Sequence, residues 1–268
     1  MKQILVMIAV VGLVGCGKKD LPEQHAKTPE TPKTDVNETT APKIQPKEEA
    51  KNPQPPKVGS TKIADPIVEE AVRGFPLLKK PEGELTEEDL AKVTELALIE
   101  TKITDAGLKE VAKLQQLKSL YLGDTQITDE GLKDVVKLQK LESLWLDGTK
   151  ITDAGLKEVA KLQKLDWLSL ENTQITDEGL KEVAKLQKLE ALVLINTPIT
   201  DIGLKEVGKL QNLWSLNLNL CEQITDSGLK EVAKLQKLIS LGLENTQITD
   251  GGVAELKKAL PNCAITRQ

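Results

Sequence analysis

The tripeptide Ile-Thr-Asp recurs at Ile103, Ile127, Ile151, Ile175, Ile199, Ile224 and Ile248, in steps of 24 residues except one of 25 into Ile224. A fixed period of this length confines the chain to a solenoid, because one such unit cannot bury its own apolar face and is covered only by its neighbours. Within a single unit, ITDAGLKEVAKLQQLKSLYLGDTQ, the hydrophobic period changes midway. Leu108, Val111 and Leu114 are three apart, as on a helix face, whereas Leu120 and Leu122 alternate, as on a strand. Asp105 or Thr104 is placed to cap the helix start by accepting unpaired N–H groups. Each unit therefore predicts one short parallel strand, a loop and one short helix. Aromatic residues at 2% suit many small identical cores better than one large one.

The spacing Leu117, Leu120, Leu122, Thr125 follows L-x-x-L-x-L-x-x-T and resembles the leucine-rich repeat. Thr101, Thr125, Thr149, Thr173, Thr197 and Thr246 stand where that family usually has Asn or Cys, and an inward hydroxyl can bond the turn backbone in the same way. The sixth copy, LNLNLCEQITD, carries Cys221 and the extra residue, and is similar to the cysteine-containing subclass known from F-box proteins. The resemblance implies an α/β, right-handed solenoid with strands on the concave face and helices on the convex face, spanning residues 93–268. A helical cap is expected over 61–92, with Asp65-Pro66 opening one helix and Thr86 with Asp89 another. A C-terminal cap is expected from about 251, where residues 260–265 read as a truncated final strand. Cys221 and Cys263 fall on different coils and read as small buried hydrophobes.

The first sixteen residues, MKQILVMIAVVGLVGC, combine a basic Lys2 with a short apolar run. That run is shorter than the roughly 20 residues a membrane-spanning helix needs. Leu13-Val14-Gly15-Cys16 resembles the lipobox of bacterial lipoproteins, which implies a signal peptide over 1–15 and acylation of Cys16 with palmitate-type chains. Gly17 rather than Asp follows, which implies the outer membrane, on its periplasmic or surface face, in a cell with two membranes. Residues 16–60 then form a tether. Positions 17–60 hold eight of the thirteen prolines and no aromatic residue. Such a segment cannot bury enough apolar surface to order itself, and its span is on the order of 40 Å.

Three cysteines at irregular spacing form neither a disulfide framework nor a zinc motif. The single histidine, His25, lies in the tether, away from any site that could position an imidazole. No residue is assigned a catalytic, cofactor-binding or metal-binding role. A net charge of −5 argues against a nucleic-acid partner. The membrane is expected to be contacted through the lipid anchor alone.

The helix segments hardly change between copies: GLKEVAKLQ, GLKDVVKLQ, GLKEVAKLQ. Lys109, Lys133, Lys157, Lys181, Lys205 and Lys230 form a ladder with acids beside them, which reads as a solvated convex face. The outward strand positions vary strongly, and alternation places them on the concave sheet. Tyr121, Trp145 and Trp167 fall there on consecutive strands, flanked by Asp124, Asp147 and Glu171 and accompanied by Ser119, Ser143 and Ser169. Including the two positions after each central Leu-x-Leu pair, the concave face carries six acids and no Lys or Arg. Trp214 falls at the edge of its strand and reads as packing. Two readings of the aromatic patch stay open: cross-strand packing, or a ligand site built on rigid aromatic anchors. As a site it fits a protein or peptide with basic groups, through ring faces and carboxylates. The alternatives are cell-wall glycan stacked on the same rings, and a purely structural envelope spacer.

Overall fold

The computed structural model describes residues 62–267. The signal-peptide, Cys16 and tether readings lie outside these residues. Eight three-residue strands line up in chain order, β1 (Glu95–Ala97), β2 (Ser119–Tyr121), β3 (Ser143–Trp145), β4 (Trp167–Ser169), β5 (Ala191–Val193), β6 (Ser215–Asn217), β7 (Ser240–Gly242) and β8 (Ala264–Thr266), as one parallel sheet. The coil-to-coil helices are α3 (Asp105–Val111), α4 (Asp129–Val135), α5 (Asp153–Val159), α6 (Asp177–Val183), α7 (Asp201–Val207), α8 (Leu229–Val232) and α9 (Asp250–Ala259). Before them lie α1 (Pro66–Arg73) and α2 (Glu87–Leu90). The architecture is the expected right-handed α/β solenoid.

Register follows the repeat: Leu96, Leu120, Leu144, Leu168, Leu192, Leu216, Leu241 and Ile265 pair across the sheet. The leucines point inward and are essentially fully buried from Leu96 to Leu241, joined by Ile103, Val111, Leu114 and their equivalents in each coil. Each buried aliphatic side chain contributes about 1.5–3 kcal/mol, and the core runs unbroken along the solenoid.

The invariant polar residues of the repeat each answer a backbone requirement. Thr125, Thr149, Thr173 and Thr197 are buried, and each hydroxyl donates to the carbonyl of the leucine three residues earlier, at 2.6–2.7 Å. At the sixth copy the Cys221 thiol replaces the hydroxyl and donates to the Leu194 carbonyl at 3.0 Å. Cys221 and Cys263 are both free and buried. The amides of Gln115, Gln139, Gln163, Gln187, Gln211 and Gln236 donate to the carbonyl at the end of the preceding helix, at 2.6–2.7 Å, satisfying an acceptor the helix leaves open.

The Asp of Ile-Thr-Asp reaches to the next coil. Asp105 accepts from the Thr128 backbone N–H at 2.8 Å and its hydroxyl at 2.7 Å. The same pair of bonds repeats from Asp129 to Thr152, Asp153 to Thr176, Asp177 to Thr200, Asp201 to Thr225 and Asp226 to Thr249. Capping falls to Thr128, Thr152, Thr176 and Thr200, while Thr104 makes no side-chain cap bond. This ladder explains the glycine two residues after each Asp. A Cβ on Gly131 would stand 2.5 Å from the Asp105 Oδ1 and 2.6 Å from the Leu108 Cδ1. At the C-terminal end Asp250 has no following threonine and pairs with Arg267 instead.

The N-terminal segment imitates a coil without a strand. Asp65 caps α1 by accepting from Ile67 and Val68 N–H groups, and its carboxylate sits against Gly107 as the ladder aspartates sit against theirs. Thr86 and Asp89 form a reciprocal capping box on α2. The extra residue of the sixth copy is absorbed in the loop, and α8 shortens to four residues.

After each of strands β1 to β7 the chain turns through one left-handed residue: Glu100, Asp124, Gly148, Asn172, Asn196, Leu220 and Asn245, with φ between 51° and 61°. Gly, Asn and Asp adopt this conformation most readily, so Leu220 is strained there.

Candidate functional site: the concave aromatic run

Three side-chain rows cross the concave sheet. The first holds Ala97, Tyr121, Trp145, Ser169, Val193, Asn217 and Gly242, and the second holds Glu95, Ser119, Ser143, Trp167, Ala191, Ser215 and Ser240. The third follows the strands and contains Ile99, Gly123, Asp147, Glu171, Ile195, Asn219 and Glu244.

Tyr121 and Trp145 are register partners, and their rings stack with centroids 4.1 Å apart at 20°. Trp145 stacks in turn on Trp167, at 5.9 Å and 28°. Strands about 4.8 Å apart bring neighbouring rings into contact without distortion. The run continues beyond the expected three residues. Trp214 meets Trp167 edge-on at 6.4 Å and 62°, reaching over β5, where Ala191 is only 1% exposed. Four of the five aromatic residues of the chain thus form one array. Trp214 lies one residue before its strand, at the position of Glu190 and Asp166, and strand alternation alone gives no sign that its ring spans two strands. The small Ala191 between them is the one signal in the sequence. Each ring pair contributes about 0.5–1.5 kcal/mol beyond area burial, so the array stiffens the sheet as well as presenting a surface.

The carboxylates differ in freedom. Asp124 is exposed at the left-handed turn. Asp147 accepts from the Ser169 hydroxyl and, at 3.0 Å, from the Glu171 N–H. Burial pushes its pKa up, and the nearby Asp124 adds to this. Burial also raises Glu171, helped by Asp147 and Asp124. Three carboxylates therefore share one corner without an ion-pair partner among the described residues, a place that favours an incoming cation.

Ser169 corrects the expected contact set. It is 4% exposed and spends its hydroxyl on Asp147, so it orients that carboxylate instead of facing a ligand. The reason is its register pairing with Trp145, which places a large ring beside a small side chain. Ser119 and Ser143 remain partly accessible beside the rings. The Nε1 of Trp167 is buried and has no partner among the described residues.

A second acidic row, not foreseen from the alternation, borders the array. Glu142, Asp166 and Glu190 occupy the same position before three consecutive strands and line an open groove of about 350 Å³ with Lys164, Lys188 and Asn212. Burial, then Glu142 and Glu190, raises the Asp166 pKa. On the opposite face the acids pair one turn along, with Lys113, Lys137, Lys161, Lys185, Lys209 and Lys234. Of the expected ladder lysines only Lys133 and Lys181 form ion pairs among the described residues, with Glu130 and Glu178. Such exposed pairs are worth little, in keeping with a solvated face. Among the described residues no group of three or more His, Cys, Asp or Glu side chains is placed to hold a metal ion, and no helix is long and apolar enough to cross a membrane.

The family model described as "Leucine-rich repeat region" matches residues 87–264, which include strands β1 to β7 in full and the first residue of β8. The chain belongs to the leucine-rich repeat family. Among solved structures, internalin C2 of Listeria monocytogenes is 28% identical to this leucine-rich-repeat protein, with a TM-score of 0.59, and the match covers 76% of this chain and 93% of that one. A leucine-rich-repeat protein of Leptospira interrogans is 26% identical over 68% of this chain and 51% of its own, with a TM-score of 0.48. Comparison with curated proteins gives no match.

Proposed function

We propose that this leucine-rich-repeat protein is a non-enzymatic, lipid-anchored recognition module whose concave sheet binds a protein or peptide bearing basic groups. The observation that carries the reading is the four-ring array set among carboxylates on a face without Lys or Arg. Rings stacked against one another offer rigid anchor surface at little entropic cost, and unpaired carboxylates beside them select cations. The fold shared with internalin C2 supports an interaction role. Export and anchoring rest on Lys2, the apolar run and the lipobox ending at Cys16. The tether would hold the solenoid away from the membrane, in the outer-membrane setting that Gly17 suggests.

The glycan reading is weaker on geometry. A sugar platform needs open ring faces, whereas Trp145 is covered by rings on both sides and the stack leaves only the outer face of Tyr121. Affinity capture from envelope extract, with wild-type and Trp145→Ala protein immobilised in parallel, separates these readings. A basic protein or peptide retained by wild type alone, and released as ionic strength rises, supports the proposal. Retention of glycan that salt does not release, or equal retention by both proteins, overturns it.

A further inference from the structure

The aromatic array ends differently on its two sides. Beyond Trp214 the same position on the next strand is filled by Ile239. Beyond Tyr121 the register partner is Ala97, which is exposed. The contrast with Ala191 is informative: both alanines lie on the concave face, but Ala191 is sealed beneath Trp167 and Trp214, whereas among the described residues Ala97 is left exposed. The stack thus stops one ring short of the end of the sheet and leaves the outer face of Tyr121 beside a bare methyl group.

The surroundings of that slot are specific. On one side stands Glu95, two residues before Ala97 on the same strand face. Its carboxylate is close enough to the Tyr121 hydroxyl to add, behind burial, to the upward shift of the tyrosine. Glu95 has no ion-pair partner among the described residues. On the other side Ile99 follows two residues after Ala97 on the same face, with its Cγ2 3.9 Å from where a Cβ on Gly123 would stand. An exposed alanine, a ring beside it and a carboxylate on the same face suit a flat cation.

We infer that the space over Ala97 is an arginine subsite, in which a partner's guanidinium stacks on Tyr121 and pairs with Glu95. A guanidinium is planar, stacks on aromatic faces and donates two parallel bonds to one carboxylate. A lysine ammonium lacks the flat face, and citrulline keeps the shape without the charge. The inference rests on the reading of the concave face as a peptide-binding surface and names one side chain that such a peptide must supply.

Tyr121 is the only tyrosine in the chain, so tyrosine-labelled full-length protein gives a single ring signal at the slot. It is titrated with acetyl-arginine methylamide, its lysine and citrulline counterparts, and methyl glucoside. The expected result is a saturable shift with the arginine compound, at least about fivefold weaker binding of the lysine and citrulline compounds, and no response to the glucoside. Ala97→Leu fills the slot and removes the response. Glu95→Gln keeps the slot and weakens arginine binding by about fivefold. Equal response to citrulline or glucoside, no saturable shift with arginine, or an unchanged response in Ala97→Leu overturns the subsite. The broader reading fails separately: it falls if Trp145→Ala leaves peptide capture intact, and stands if Trp145→Ala abolishes capture while Ala97→Leu does not.

Discussion

Replacing Gly131 by alanine tests the coil-to-coil ladder with a sign that helix propensity alone would reverse. In an unconstrained helix the change stabilises by up to about 1 kcal/mol. Here the new methyl would meet the Asp105 carboxylate oxygen at 2.5 Å and the Leu108 Cδ1 at 2.6 Å. Asp105 must then move from the Thr128 N–H and hydroxyl, which it holds at 2.8 and 2.7 Å. Losing charge-assisted bonds costs about 1.5–3 kcal/mol, and crowding Leu108 adds about 1–3 kcal/mol. After the propensity gain the net expectation is a loss of about 1.5–5 kcal/mol. Gly251→Ala is the control, because its new methyl meets only the Thr249 Oγ1, at 3.4 Å. It should be neutral or stabilise by up to about 1 kcal/mol. Urea denaturation followed by far-ultraviolet circular dichroism measures both. In an Asp105→Ala background, Gly131→Ala should cost much less, because the two sites are coupled through one carboxylate. A Gly131→Ala protein as stable as wild type would refute the ladder as the reason for the glycine.

Four further outcomes are expected. Leu144→Ala should cost about 2–5 kcal/mol by opening a cavity, whereas Trp145→Ala, which loses two ring contacts, should cost about 1–3 kcal/mol; denaturation midpoints that invert this order would show a register slip. Asp147→Asn should stabilise the protein at neutral pH by removing a charge that burial, and then the nearby Asp124, disfavour. Because the folded-state pKa of Asp147 is raised, its ionisation costs stability as pH rises through that value, so the Asn advantage should vanish on acidification; an advantage that grows as pH falls would contradict this. Leu220→Asn should stabilise by about 1 kcal/mol by suiting the left-handed turn, read as a higher melting temperature, and a lower one would count against strain there. Cys16→Ser should move the protein from the membrane to the soluble fraction on cell fractionation, and retention in the membrane would defeat the lipid-anchor reading.

Much of the fold is legible in the sequence because a repeat tests each assignment several times over. The switch from three-residue to two-residue spacing sets Leu120 and Leu144 inward and Tyr121 and Trp145 outward, and Thr125 binds its turn as its hydroxyl allows. What periodicity cannot show is how far a side chain reaches. Asp105 reads equally well as a cap, and its bond to Thr128 emerges only when adjacent coils are placed side by side. Trp214 sits off the alternating face by position but joins the array because its ring is long and Ala191 is small. Ser169 is outward by alternation, yet it is covered because its register partner is a tryptophan. The acids Glu142, Asp166 and Glu190 fall outside the alternating set for the same positional reason as Trp214, and they border the array together with Lys164 and Lys188, Glu142 being paired with Lys118.

The central claim is that partners bind on the concave sheet, across the aromatic array. Hydrogen–deuterium exchange of the full chain, free and with a captured basic partner, tests it without changing a residue. The account predicts added protection in segments 119–124, 143–148 and 167–172, which carry the rings and carboxylates, with little change in α3 to α7. Protection concentrated in those helices, with the strand segments unchanged, would place the partner on the convex face and contradict it.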